Sequence, residues 1–180
     1  MTSLLLVSPW ANAESPVIAE QSGQSPKALS DQEIAGYRAG EGMGMALAAE
    51  LNHYPGPRHV LDLADDLHLD PQQRDAAQRL FDEMRAQTQP LGNALITKEK
   101  ELDQLFATQT VTDESLRRLT QEISALQGQL RYLHLHAHLR MRELLTAEQR
   151  QAYETLRGYA APPEPSAHDA HHHQHGAAHP

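Results

Sequence analysis

Residues 70–106, DPQQRDAAQRLFDEMRAQTQPLGNALITKEKELDQLF, decide the fold. Apolar or small side chains recur at Ala77, Phe81, Met84, Thr88, Leu91, Leu95, Leu102 and Leu105, with Lys98 in the one polar slot. The steps of 3 and 4 are the heptad seam of packed helices. A second run, residues 112–145, repeats the pattern at Leu116, Leu119, Ile123, Leu126, Leu130, Leu133, Ala137 and Leu144, with Arg140 as the odd member. Only Ala107–Val111 separates the two, so the second helix must return antiparallel along the first. Each arm is about 50 Å long at ~1.5 Å per residue.

Outward from this hairpin the composition stays helical. Aromatic residues make up 4% of the 180, Leu and Ala carry the apolar content, and no period-2 run is long enough for a sheet. The expected class is all-α: a long antiparallel hairpin with shorter flanking helices, four to five in all, cradle-like and dimeric. A net charge of −9 argues against nucleic acid, which needs a basic footprint. With no cysteine, disulfides, thiolate metal sites and cysteine nucleophiles are excluded. Any metal site must come from His, Met and carboxylates.

Residues 1–13 read as an export signal lacking its basic front. Leu4–Val7 is the apolar core and Ala11-Asn12-Ala13 the small-x-small cleavage pattern, making Glu14 the mature start. No other stretch approaches ~20 apolar residues, so no membrane insertion is expected after processing. Residues 14–29, rich in Ser, Gln, Pro and Gly, form a flexible lead-in. The helical domain spans 30–159, and 160–180 is a disordered His-rich tail.

Within the domain, Ser30 and Glu33 make a capping box that starts a helix reaching about Leu51. Gly36, Gly40 and Gly44 share one face of that helix, where another helix can approach closely. Tyr54-Pro55-Gly56-Pro57 breaks the chain, and Pro57 opens a short helix to about Leu67 with Val60, Leu61, Ala64 and Leu67 inward. Pro90 removes one backbone hydrogen bond and predicts a bend near residues 86–90. A last helix runs from Thr146 to a cap at Gly158. Leu80, Phe106, Leu135 and Leu139 lie off the seam, a second apolar face suited to a homodimer or a bound client.

Leu145-Thr146-Ala147-Glu148-Gln149 is a capping box, with Thr146 as cap and Gln149 at the third helical position. Leu69-Asp70-Pro71-Gln72-Gln73 repeats the logic with Asp70 as cap and Gln73 as its partner. Two L-T-x-x-Q-like boxes bracketing a helical hairpin, in an exported chain without cysteine, resemble the periplasmic CpxP/Spy-like family and its heavy-metal sensor and zinc-resistance-associated branch. The likeness covers about Tyr54–Tyr159, and Asp70 departs from the family's Thr. The resemblance implies a four-helix, cradle-shaped antiparallel dimer. It implies metal sensing and resistance or envelope-stress chaperoning in the periplasm, and no enzymatic activity.

The twelve histidines are the candidate ligands. His134 and His138 share a helical face at i, i+4, a spacing that lets two imidazoles reach one ion, and Met141 lies one turn on. His136 points away from them. The resemblance adds ligands from the helix before the first motif, which here points to His53 and His59, although the family's close pair is split by Tyr54-Pro55-Gly56-Pro57. His168, His171, His172, His173, His175 and His179 form a tail tract able to bind Zn, Ni or Cu loosely.

No catalytic motif is present: no nucleophile elbow, no His-Glu-x-x-His, no phosphate loop. The expectation is a periplasmic heavy-metal-binding protein that takes a divalent Zn, Ni, Co or Cu ion through histidine, with no organic cofactor. The alternative is an ATP-independent chaperone for unfolded clients, using a basic face from Arg74, Arg79, Arg85, Arg117, Arg118, Arg131, Arg140 and Arg142. A third class is an adaptor contacting a membrane sensor or anti-sigma partner.

Overall fold

The computed structural model describes residues 25–159. Six helices form among them: α1 (Asp31–Ala39), α2 (Leu47–Glu50), α3 (Pro57–Asp62), α4 (Pro71–Ala107), α5 (Asp113–Leu144) and α6 (Ala147–Leu156). The chain is therefore all-helical over the described residues, and the long α4–α5 hairpin is its frame. The expected export signal, most of the expected lead-in and the His-rich residues 160–180 lie outside the described residues.

Side chains set the helix starts. Asp70, Thr112 and Thr146 each accept a hydrogen bond from the third helical backbone N–H, and the side chain at that position returns to the cap's own N–H. Gln73 and Gln149 do this for α4 and α6, and Ser115 does it for α5. Four N–H groups at a helix start lack intrahelical partners, and these boxes satisfy two of them. Pro71 and Pro57 occupy the first turns of α4 and α3, where a missing N–H costs nothing.

The buried seam of α4 follows the expected stripe through Ala77, Met84, Thr88 and Leu95. In α5 it departs after Leu130. His134, Ala137 and Met141 take the buried positions, while Leu133 is half-buried and Arg140 exposed. From Leu119 the inward residues run Ile123, Leu126, Leu130, His134, Ala137, Met141 and Leu145, steps of 4, 3, 4, 4, 3, 4 and 4. A strict 3.5-residue repeat drifts around a nearly straight helix, and the extra steps of 4 absorb the drift. The polar slot at Lys98 is filled by an ion cluster: Lys98 Nζ lies 2.8 Å from Glu122 and 3.2 Å from Glu101, and Arg118 binds both carboxylates.

Two corrections concern the N-terminal helices. No single helix joins Asp31 to Leu51. Gly40 adopts φ 70°, ends α1 with its N–H on the Gly36 and Tyr37 carbonyls, and a loop leads into α2. The three glycines therefore do not share a helical face. A close approach to α4 does occur at Gly40, where an added Cβ would meet Thr88 Oγ1 at 2.6 Å, and the tightest backbone approach is at Gly92 of α4, where an added Cβ would run into the Tyr37 carbonyl of α1. The helix opened by Pro57 ends at Asp62, but Val60, Ala64 and Leu67 still turn inward. α4 runs through Pro90 as one helix.

Two hydrophobic clusters result. One gathers Val60, Ala64, Leu67, Leu69, Ala77, Met141, Leu145 and Tyr153 around the open end of the hairpin. The other, Leu95, Ile123 and Leu130, lies along its middle. α2 packs on α5 and forms a shallow groove with Tyr54, Tyr132, Leu135 and Leu139, so part of the off-seam face meets the chain's own helix.

Candidate metal centre

Between the two clusters a cavity of about 540 Å³ opens. The loop after α1 walls it on one side and the start of α3 on another. Met84 reaches it from α4, His134 and His138 from α5, and Arg157 and Tyr159 close it.

Glu50, at the end of α2 and 8% exposed, is its charged centre. The Tyr153 hydroxyl donates to Glu50 Oε1 at 2.5 Å, and Arg157 Nε stands 3.5 Å from the same oxygen. Burial and the Glu50 carboxylate push the Tyr153 phenol well above its ordinary range, so it stays protonated and donating. The other oxygen, Oε2, lies 3.6 Å from His138 Nδ1.

His138 is oriented by backbone. Its Nδ1 lies 2.7 Å from the Tyr54 carbonyl, which can only accept, so Nδ1 carries a proton and Nε2 is the nitrogen left for a ligand. Pro55 forces the extended turn that aims this carbonyl. Gly56 lets the ring pack directly on its backbone: a Cβ there would stand 2.8 Å from His138 Cε1, 3.0 Å from Nε2 and 3.4 Å from Glu50 Oε2, too close for the ring to keep its place. An imidazole and a carboxylate thus stand together on the wall of the cavity, donor types suited to a divalent transition ion.

His59 lines the same cavity from α3. Burial, and then the charge of Arg157, lower its pKa and favour the neutral, ligating form. His134 is 3% exposed and accepts or donates no hydrogen bond at Nε2. Burial first, and the neighbouring His138 second, push its pKa down to about 4, so it is neutral throughout the physiological range. Among the described residues no three His, Cys, Asp or Glu side chains are grouped closely enough to hold one ion.

The expected ligands therefore separate. His134, His138 and His59 meet at one cavity. His53, at φ 68° in the turn after α2, faces away and pairs with Glu154 at 3.0 Å. Met141 is wholly buried in the open-end cluster. His168, His171, His172, His173 and His175 lie outside the described residues. Leu69 and Leu145 of the two boxes are core residues, 5% and 3% exposed. Sequence reading missed Glu50, Tyr153 and Arg157, because their partners are far along the chain. Gly56 was visible only as a break.

No described helix is long and apolar enough to cross a membrane. A family model described as heavy-metal resistance matches residues 41–152, from the loop that walls the cavity to the residue before Tyr153. No curated protein and no solved structure matches the chain.

Proposed function

The chain belongs to the heavy-metal resistance family, and from that premise we propose that it is an exported, periplasmic metal-binding protein whose cavity captures a divalent Zn, Ni, Co or Cu ion. The observation that carries this reading is the meeting of His138 and the buried Glu50 carboxylate at Gly56 on the cavity wall. His138 and Glu50 are the first two ligands, and His59, which lines the same cavity but is not grouped with them in the metal-free chain, must move inward to become the third. The ion supplies positive charge that competes with Arg157 for Glu50. The tyrosine and the Tyr54 carbonyl hold the ligands in place, as outer-shell partners of metal sites do. Sensing or resistance follows from capture, because binding there changes the partners of Glu50 and so of α6.

Calorimetric titration of Zn²⁺, Ni²⁺, Co²⁺ and Cu²⁺ into the full chain, and into the chain ended at Tyr159, tests it. Submicromolar binding by both, lost in His138→Ala, is the expected result. Equal binding by His138→Ala, or none by the chain ended at Tyr159, overturns the cavity as the site.

A second reading, an ATP-independent chaperone, draws on the exposed Leu47, Leu51, Tyr132 and Leu139 on the α2 and α5 surface. Suppression of client aggregation by the metal-free protein, lost in Leu139→Glu, would favour it.

A further inference from the structure

The opposite wall of the cavity from Glu50 has a different chemistry. His134 occupies a seam position where Leu133 one residue earlier was the apolar choice, and its Nε2 is buried without a partner. An unpartnered polar atom in a seam lowers stability, whereas a leucine there would not. Two methionines line the same cavity. Met84 of α4 is 9% exposed. Met84 and His134 are equally distant in sequence from Gln109 in the turn, so the antiparallel register sets them level across the seam, and both line the cavity.

Met43 supplies the third donor from the mouth: its sulfur rests on Gly36 of α1, where a Cβ would collide with it, and must turn inward to meet the other two. Met43 lines the cavity from the loop after α1, is 40% exposed, and holds φ 40°. A bulky side chain rarely adopts the left-handed region, and doing so costs conformational energy. Gly42 and Gly44 flank it. Gly42 lies against the imidazole of His134, where even a Cβ would stand 3.5 Å from Nδ1. A strained, exposed methionine thus sits at the mouth of a cavity whose inner wall is a buried methionine and an unsatisfied neutral imidazole.

We propose that His134, Met84 and Met43 form a second metal site, for a soft monovalent ion such as Cu(I) or Ag(I). Thioether sulfur selects soft ions over Zn²⁺ and Ni²⁺, and a neutral imidazole completes a low-charge site without a carboxylate. Glu50, His138 and His59 make the harder, charged wall, so one cavity sorts two classes of ion. The second site does not depend on the first.

The test uses the full chain with methionine methyl groups labelled with carbon-13, titrated with Ag(I). The expected result is movement of the Met43 and Met84 methyl resonances together, with Met45 and the buried Met141 unmoved. Met84→Leu and Met43→Leu, which keep side-chain bulk, should each lower Ag(I) affinity at least about tenfold while leaving Zn²⁺ binding unchanged. Unmoved Met43 and Met84 signals overturn the proposal, as does unchanged Ag(I) affinity in both variants. Loss of Zn²⁺ but not Ag(I) binding in His138→Ala separates the two sites; Ag(I) shifts in a chain that binds no Zn²⁺ sink the divalent reading alone.

Discussion

The side-chain amides of Gln73 and Gln149 are hydrogen-bonded to each other twice: Gln73 Nε2 donates to Gln149 Oε1 at 2.8 Å, and Gln149 Nε2 donates to Gln73 Oε1 at 2.9 Å. Each Nε2 also donates to a carbonyl of the other's approach, Leu144 for Gln73 and Leu67 for Gln149. Each Oε1 accepts from its own cap residue, Asp70 or Thr146. Every hydrogen-bonding position on both amides is used. The box at each helix start is therefore also the clamp between them, which a capping argument alone does not reveal.

Gln149→Ala should lower stability by about 2–3 kcal/mol, because it strands the Gln73 amide and the Thr146 N–H together. The double variant Gln73→Ala/Gln149→Ala should cost less than the sum of the single ones. Denaturant unfolding of the four proteins gives the coupling, and strict additivity would show that the clamp is not a unit.

Gly56→Ala should keep the fold and displace His138. At φ −86° the backbone accepts alanine, but its Cβ would stand 2.8 Å from His138 Cε1, so the ring must shift. Divalent affinity is expected to fall by roughly 10–100-fold, the effect of disturbing a ligand's support, with little change in the unfolding midpoint. Calorimetry and thermal unfolding on the same sample decide it.

Metal-free protein should lose stability on mild acidification. His134 in the folded chain protonates near 4 and in the unfolded chain near 6.5, so between those values the unfolded state binds the extra proton. The contribution is complete above pH 6.5 and is lost as pH falls towards 4, a total of about 3 kcal/mol. His134→Leu should flatten this part of the profile. Urea midpoints of both proteins from pH 7 to 4, with a chelator present, measure it, and parallel profiles would refute the assignment.

Tyr153→Phe should cost about 1–3 kcal/mol, since Glu50 is left buried without its hydroxyl donor. The same variant leaves Glu50 freer to bind an ion, so added Zn²⁺ should recover part of the loss in thermal unfolding.

Gly92→Ala should destabilise by about 1–3 kcal/mol through the clash with the Tyr37 backbone. The loss should be localised to α1, and early proteolysis between residues 39 and 46 would report it.

The hairpin and its caps were legible because their causes are local: a 3–4 periodicity, a Ser, Thr or Asp three residues before a returning side chain, a proline at a first turn. The seam was misread where local and global geometry diverge. Leu133 and His134 are neighbours, and only the accumulated turn of a long helix decides which faces inward. Gly40 reads as helical because its spacing from Gly36 and Gly44 fits, whereas it caps α1 at φ 70°, with the Thr88 side chain where a Cβ would stand. His138 and His59 were found as residue types. Glu50 was not, because its meaning comes from Tyr153, 103 residues away.

That separation has a kinetic consequence. The hairpin can zip outward from Gln109 through contacts of growing but modest loop length, whereas the tie between Glu50 and Tyr153 encloses nearly the whole described chain, and loop closure grows costlier with length. The clasp should therefore form last and open first, as a unit of low local stability. An ion seated beside Glu50 joins α2, α3 and α5 where the chain alone joins them weakly. Amide exchange at residues 47–60 and 150–157 should then slow when metal is added, while exchange along the middle of the hairpin stays as it was. The protein would carry its record of metal exposure in how often its two ends part company.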